Sequence, residues 1–325
     1  MSIAITGGTG FVGLALAEAL QNAGHPVVLF GSAPLPARFA GAFAEVASFM
    51  GDIRDPKGID SLLDTCAPAA VVHLAAVTPD REAEMSDPAT VIGVNVGGIA
   101  NVMRSMARLP TRPRLILASS VAVYGSDEPL TGSFEEDYAP LRPVSLYGIT
   151  KLAAEQTALR LAELYEIDLR IIRLGPIFGP WEHATGLRPL LSPHGQVLEV
   201  WCNGEEAILP RELFGDWLYS RDAGRGIAAL LESDRLHHTV YNLGGGVSTS
   251  VADWCERFRP SPLSRGWRLA RPGEQPNVLV SLPRDRAPLD IHRITADTGY
   301  RPAYSGGRAV EDHLAWLRAN GGPGY

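Results

Sequence analysis

The feature that most restricts this chain is Gly7-Gly8-Thr9-Gly10-Phe11-Val12-Gly13, because of what flanks it. Ser2 to Thr6 is a short apolar run that reads as a buried strand. An alanine- and leucine-rich helix follows the glycines through Ala23, Gly24-His25 closes it, and Pro26 to Phe30 reads as a second strand. Strand, glycine turn, helix, strand is the order of a dinucleotide-binding unit. The glycines allow the tight turn, the approach of backbone to a pyrophosphate, and close helix–strand packing. The helix amino terminus presents free N–H groups and a positive dipole end to the phosphates. Gly7, Thr9, Gly10, Phe11, Val12 and Gly13 are therefore expected to hold the cofactor.

The next segments extend the same unit. A carboxylate at the end of the second strand would bond both ribose hydroxyls of NAD. That position is Gly31, followed by Ser32, with Arg38 further on, so the choice between NAD and NADP stays open. Val46 to Met50 reads as a third strand closed by Gly51-Asp52-Ile53. Asp52 and the Ile53 N–H could bond the adenine edge, or form a helix-capping turn with Asp55. Ala69 to Leu74 is a fourth strand, and the small residues of Leu74-Ala75-Ala76 let the nicotinamide half lie against backbone. His73 reads as a packed strand residue. A helix from about Ala89 to Leu109 carries Asn95 among apolar neighbours. A buried amide needs partners there, as a helix-bending group or part of a proton relay. Arg114 to Ser119 is the fifth strand, ending in Ser119-Ser120.

Tyr147-Gly148-Ile149-Thr150-Lys151 places a phenol and an ammonium one helical turn apart on one face. A phenol with an ordinary pKa of about 10 is a poor base near neutrality, and a nearby cation favours its ionised form. A hydroxyl beside the pair can bond the substrate oxygen. Lysine occurs only at Lys57 and Lys151, every other basic side chain being arginine. A compact ammonium with a tunable pKa does what a fixed guanidinium cannot.

Composition bounds the rest. The 325 residues suffice for one large α/β domain, or one domain with a smaller appendage. A net charge of -7 leaves no footprint for nucleic acid or an anionic membrane. The apolar runs fall far short of the ~20 residues of a membrane span. No basic segment with a following apolar core stands at the amino end, so no signal peptide is expected. Cys66, Cys202 and Cys255 form neither a metal nor a disulfide pattern. A cytoplasmic enzyme without metal, nucleic-acid or membrane partners is expected.

With these pieces in order, the chain resembles an extended short-chain dehydrogenase/reductase of the NAD-dependent epimerase/dehydratase family. The resemblance rests on Thr6 to Gly13, Asp52-Ile53, His73 to Ala76, Asn95, Ser119 to Gly125 and Tyr147 to Lys151. It continues in Asp216 to Ala223, Tyr241 to Gly244, Arg271 to Glu274 and Thr298 to Pro302. It implies a Rossmann-type doubly wound parallel sheet over residues 1–175, to which segments around 214–243 return. A smaller carboxyl-terminal substrate lobe would occupy most of 176–325. It also implies bound NAD or NADP and a homodimer. Tyr147 becomes the general acid/base, and Lys151 the group that lowers its pKa and bonds the nicotinamide ribose. Ser120 orients the substrate oxygen, with Ser119 beside it, and Asn95 links the relay to solvent.

Departures from the family bear on the reaction. Dehydratases carry Asp-Glu just after the serine position, where this chain has Val121 and Ala122, so water elimination is disfavoured. An asparagine expected at the end of the sixth strand is Pro176, and an arginine expected before Asp216 is Gly215. Arg271 keeps a diphosphate-binding position and Arg211 could substitute locally, so the pyrophosphate clamp looks depleted. His183 and Arg188, within Trp181 to Arg188, suit a small polar or carboxylated substrate, as does Thr78. The reading is hydride transfer at a hydroxyl-bearing carbon of a small sugar, sugar acid or polyol. A nucleotide-sugar 4-epimerase with tightly held NAD is the alternative, and a non-catalytic NAD(P) sensor the third. Loop with one strand at Asn277 to Leu282 is expected late in the chain, then lobe helices at Asp290 to Thr298 and Ala309 to Ala319.

Overall fold

The computed structural model describes residues 2–126, 132–280 and 284–320. Its centre is a seven-stranded sheet in which every neighbouring pair is parallel. Six strands are β1 (Ile3–Thr6), β2 (Val27–Gly31), β3 (Ala47–Met50), β4 (Ala70–His73), β5 (Arg114–Ser120) and β6 (Leu169–Leu174); the seventh is Val240–Leu243. Their order is β3, β2, β1, β4, β5, β6, Val240–Leu243. The chain runs outward from β1 to β3, then restarts at β4 on the other side. That reversal opens a crevice at the carboxyl ends of β1 and β4, where ligands of such sheets bind.

Side-chain alternation sorts each strand between two cores. Ile3, Ile5, Val72, Ile116 and Ile172 face the core built with α1 (Phe11–Asn22) and helix Ser220–Glu232. Ala4, Val71, Leu115, Leu117 and Ile171 face the core built with α2 (Pro56–Cys66), helix Gly98–Met106 and helix Leu146–Tyr165. With both faces covered, the strands read as unbroken apolar runs rather than alternating ones. Truncating Leu117 to alanine should cost about 2–5 kcal/mol.

Three expected elements differ. The run from Ala89 to Leu109 is helical but interrupted by one π turn at Gly93–Gly97, between Pro88–Ile92 and Gly98–Met106. No strand forms over Asn277 to Val280; Leu282 lies outside the described residues. The Asn277 side chain instead caps an edge, accepting from Ile208 N at 2.7 Å and donating to Glu206 O at 3.0 Å. The strand of that region is Trp267–Leu269, parallel to Ala207–Leu209. Helix His292–Thr298 packs on Val240–Leu243 and Ser220–Glu232, not on the second lobe. The Tyr241 hydroxyl donates to Asp297 Oδ2 at 2.7 Å and fastens it there. Helix Gly306–Ala319 packs on Val251–Phe258. No helix among the described residues is long and apolar enough to cross a membrane.

Candidate active site

The glycine turn is shaped for something that presses on backbone. Gly7 has φ +70°, and a Cβ there would stand 2.7 Å from Ala75 N, because the chain leaving β4 crosses it. A Cβ on Gly13 would meet the Gly7 and Gly8 carbonyl oxygens at 2.5 Å, so α1 sits directly on the turn. Gly10 starts α1 with no side-chain cap. The first N–H groups of the helix, at Phe11, Val12 and Gly13, are thus free of a competing side-chain acceptor, which fits a pyrophosphate.

At the ribose corner the Thr9 hydroxyl donates to Ala33 O at 3.0 Å and fills the space where a Gly31 side chain would begin. Ser32 is exposed beside it, and the Arg38 guanidinium lies 4.5 Å from the Phe39 ring centroid. At the adenine corner Asp52 is already engaged. It accepts from Arg54 N at 2.8 Å and from the guanidinium at 2.7 Å, which holds its carboxyl below the usual range. Capping of α2 belongs to Asp55, which accepts from Lys57 N at 3.0 Å. Ile53 is buried under Gly98.

On the nicotinamide side, β4 ends in His73, whose Nδ1 lies 2.7 Å from the Thr6 hydroxyl. Burial, and then the Lys151 ammonium, push its pKa down to about 3, so it is a neutral strand residue as expected. Leu74, Ala75 and Ala76 continue past it, half-buried.

The proton-handling cluster is assembled by caps. Ser145 accepts from Gly148 N at 3.1 Å and starts helix Leu146–Tyr165, which puts Tyr147 in its first turn and Lys151 one turn on. Ser120, at the end of β5, accepts from Ala122 N at 3.1 Å and caps the short turn Val121–Tyr124. Burial pushes the Tyr147 phenol above its ordinary value, while the Ser120 and Thr78 side chains and the Arg188 cation pull the other way. Lys151 is buried, its ammonium donates to Ala118 O at 2.8 Å, and it lies 5.8 Å from the Tyr147 ring centroid. Burial brings it down to about 8, against the opposing pull of Glu155. The Lys151 ammonium thus bonds the β5 backbone and stays within reach of the Tyr147 ring.

These elements occur in this order in a known family: the model described as the NAD dependent epimerase/dehydratase family matches residues 3–244. The chain belongs to that family. It is 27% identical over 244 residues to UDP-glucuronate 4-epimerase 6 of Arabidopsis thaliana, covering 72% of this chain and 52% of that protein. It is 30% identical to UDP-glucuronate 4-epimerase 1 of the same plant, covering 72% and 55%. It thus spans about half the length of these curated relatives. A dTDP-glucose 4,6-dehydratase of Actinoplanes sp. is 28% identical over 98% of both chains. The solved UDP-glucose 4-epimerase of Thermotoga maritima superposes with a TM-score of 0.79 at 21% identity, covering 98% of this chain and 99% of that one. The fold is thus the Rossmann type of this family.

Other expected site residues of this family member divide. Asn95 sits in the π turn, nearly buried. It accepts from Val77 N at 2.8 Å and donates to Val77 O and the Thr150 hydroxyl, each at 3.0 Å. It ties the Thr78 strand end to the Tyr147 helix, which accounts for a buried amide and for a π bulge at a functional position. Ser119 does not reach the substrate side. Its neighbour Ser120 points into the crevice, so strand parity turns Ser119 the opposite way. Its hydroxyl donates to Glu155 at 2.5 Å, inside the buried Glu155–Arg173 pair. Arg271 is exposed in a turn where its N–H donates to Glu274 at 2.8 Å, and no bond among the described residues joins it to the Tyr147 cluster. Arg211 is paired with Asp285 at 2.7 Å.

Thr78, His183 and Arg188 do come together. Thr78 N donates to Leu187 O at 3.0 Å, His183 lies by the Thr9 backbone, and the Arg188 guanidinium lies 5.8 Å from the Phe11 ring centroid. Their organiser is Glu182, which sequence reasoning passes over. Its buried carboxylate accepts from Ser192 N and the Ser192 hydroxyl, each at 2.6 Å, and from Arg188. A Cβ on Gly195 would stand 2.7 Å from it. The only hint in the sequence is a carboxylate set between tryptophan and histidine.

Proposed function

We propose that this protein is a nucleotide-sugar 4-epimerase, with Tyr147 as the acid/base at the reacting hydroxyl. The observation that carries the reading is the Tyr147 phenol in the first turn of its helix, with the Lys151 ammonium 5.8 Å from its ring and the Ser120 and Thr78 side chains favouring its ionised form. A bound NAD would supply the hydride acceptor and donor for the substrate carbon that carries the reacting hydroxyl. Tyr147 in its phenolate form takes the hydroxyl proton as the carbonyl forms, and gives it back to oxygen when the carbonyl is reduced on its other face. Ser120 and Thr78 hold the oxygen in reach during both steps. Val121 is buried and Ala122 carries no titratable group, so no acid–base pair stands ready to expel water. Epimerase and dehydratase relatives both occur, and this gap supports the first.

A net dehydrogenase of a small sugar acid is the second reading, supported by Pro176 and Gly215 at the expected diphosphate contacts. Pro176 offers its carbonyl to Leu218 N at 2.9 Å, and a Cβ on Gly215 would face the Trp217 indole at 3.4 Å. The substrate lobe is assigned to 176–325, less the returning segments Ser220–Glu232, Val240–Leu243 and His292–Thr298. UDP-glucuronate, UDP-glucose, free uronates and aldonates, each supplied with NAD, separate the readings. Interconversion of a nucleotide sugar without net cofactor reduction supports the epimerase, and stoichiometric reduction with a free sugar acid rejects it.

A further inference from the structure

Polar side chains stand in one row across the ends of β5, β6 and the seventh strand. Ser119 is in register with Arg173, and Arg173 with Asn242, so they share a face of the sheet, and all are buried. The Arg173 guanidinium is the hub of this row. Its Nε and Nη2 donate to Glu155 at 3.0 and 2.8 Å, while Nη1 donates to the Tyr124 hydroxyl at 3.0 Å and to Glu136 O at 3.1 Å. The Tyr124 hydroxyl in turn donates to Asn242 Oδ1 at 2.8 Å, and its ring stacks on Phe134.

A buried ion pair adds little net stability over well-packed apolar groups of the same volume, so stability alone does not account for this one. Its place in the chain does. Glu155 lies on helix Leu146–Tyr165, which carries Tyr147 in its first turn, and Tyr124 closes the short turn that Ser120 caps. One planar group with fixed donor directions therefore joins the helix of the phenol to the turn of the serine. The two elements also touch, since a Cβ on Gly148 would stand 2.7 Å from Ala122 O. Lys151 ties the same helix to β5 ahead of the serine pair, through Ala118 O, and Arg173 reaches the turn beyond it.

Resting on the reading of Tyr147 as the acid/base, we propose that Arg173 is a positioning residue that sets the spacing between the Ser120 hydroxyl and the Tyr147 phenol. Glu155 and Tyr124 are its arms. With the Lys151 ammonium beside the phenol, this spacing decides whether serine and tyrosine meet the same substrate oxygen.

The test cuts one arm and needs no substrate. Tyr124→Phe keeps the ring on Phe134 and leaves the Glu155–Arg173 pair whole, so the fold stands. The readout is phenolate absorbance titrated against pH, each protein minus the same protein with Tyr147→Phe, which isolates that phenol among nine tyrosines. The Ser120 side chain favours the ionised phenol, so Ser120→Ala should raise the Tyr147 midpoint by about one pH unit. Tyr124→Phe should raise it by about half as much and add nothing further when Ser120 is already alanine. An unmoved midpoint in Tyr124→Phe overturns the proposal. An equal rise with and without Ser120 does so too, because it marks a general loosening that does not act through the serine. A midpoint unmoved by Ser120→Ala takes the serine away from the phenol and also overturns it. Lys151 and Arg188 are the same in every protein compared and cancel. Should Tyr147→Phe retain turnover of UDP-glucuronate, the acid/base reading fails by itself, whatever the titration gives.

Discussion

The Thr9 hydroxyl occupies the place into which a side chain at position 31 would grow. Gly31 is where a family carboxylate would contact ribose, and here Thr9, bonded to Ala33 O, already fills that corner. The absent acid thus goes with the packing of the turn, which leaves no room for a side chain at position 31 while Thr9 keeps this place. Gly31→Ala should destabilise by about 1–3 kcal/mol through overpacking. Thr9→Ala/Gly31→Ala should recover part of that, giving a measurable coupling in a thermal-unfolding double-mutant cycle. Strict additivity would mean that Thr9 is not what keeps residue 31 a glycine.

Tyr147→Phe keeps the ring and removes the proton. Turnover should fall by at least ~100-fold, while cofactor affinity measured by calorimetry stays within a few-fold. Lys151→Ala should lose both, since a buried ammonium against Ala118 O at the nicotinamide end is placed for the ribose as well. Retained tight binding in Lys151→Ala would remove the ribose contact from its role.

Asp216 offers a test in pH. Burial raises its carboxyl to about 6 although Leu289 N donates to it at 2.9 Å. The folded pKa lies above the unfolded one, so the proton is bound more tightly in the native state. The stability this contributes is fully present below about pH 4 and lost as pH rises through 6. Wild-type stability minus that of Asp216→Asn should therefore fall by on the order of 2 kcal/mol across that window. A flat difference between denaturation curves at pH 4 and pH 7 would mean that Asp216 titrates normally.

What could be read from sequence and what could not follow the same physical line. Gly7 to Gly13 and Tyr147 to Lys151 are legible because their geometry is local: a turn between strand and helix, and one helical turn. Asn95 is legible as a buried amide needing partners, but its partners Val77 and Thr150 lie 18 and 55 residues away. Glu182 is silent in the sequence because its role is created by the reversal at Trp181, which brings Arg188, Ser192 and Gly195 around it. The same applies to helix His292–Thr298, which the Tyr241–Asp297 bond returns to the sheet. Arg271 shows the converse: a motif match whose side chain the fold leaves exposed.

Ser119 and Ser120 are adjacent and chemically identical, yet strand parity gives them opposite neighbours, and this yields the sharpest contrast. Ser119→Ala removes a donor from Glu155, which also pairs with Arg173 at 2.8 Å. The pair itself survives, so the loss should be about 1 kcal/mol of stability, with kcat unchanged. Glu155→Gln in the same cluster leaves Arg173 buried without its counter-charge and should cost about 3–5 kcal/mol. Ser120→Ala should differ from Ser119→Ala in turnover, not in stability: its capping bond to Ala122 N is likewise worth about 1 kcal/mol, while turnover should drop roughly 10²-fold as the substrate oxygen loses a donor. Thermal denaturation and kcat measured side by side decide it. A kcat loss in Ser119→Ala that exceeds the loss in Ser120→Ala would reverse the assignment of the two faces of β5 and move the reacting oxygen to the other side of the strand.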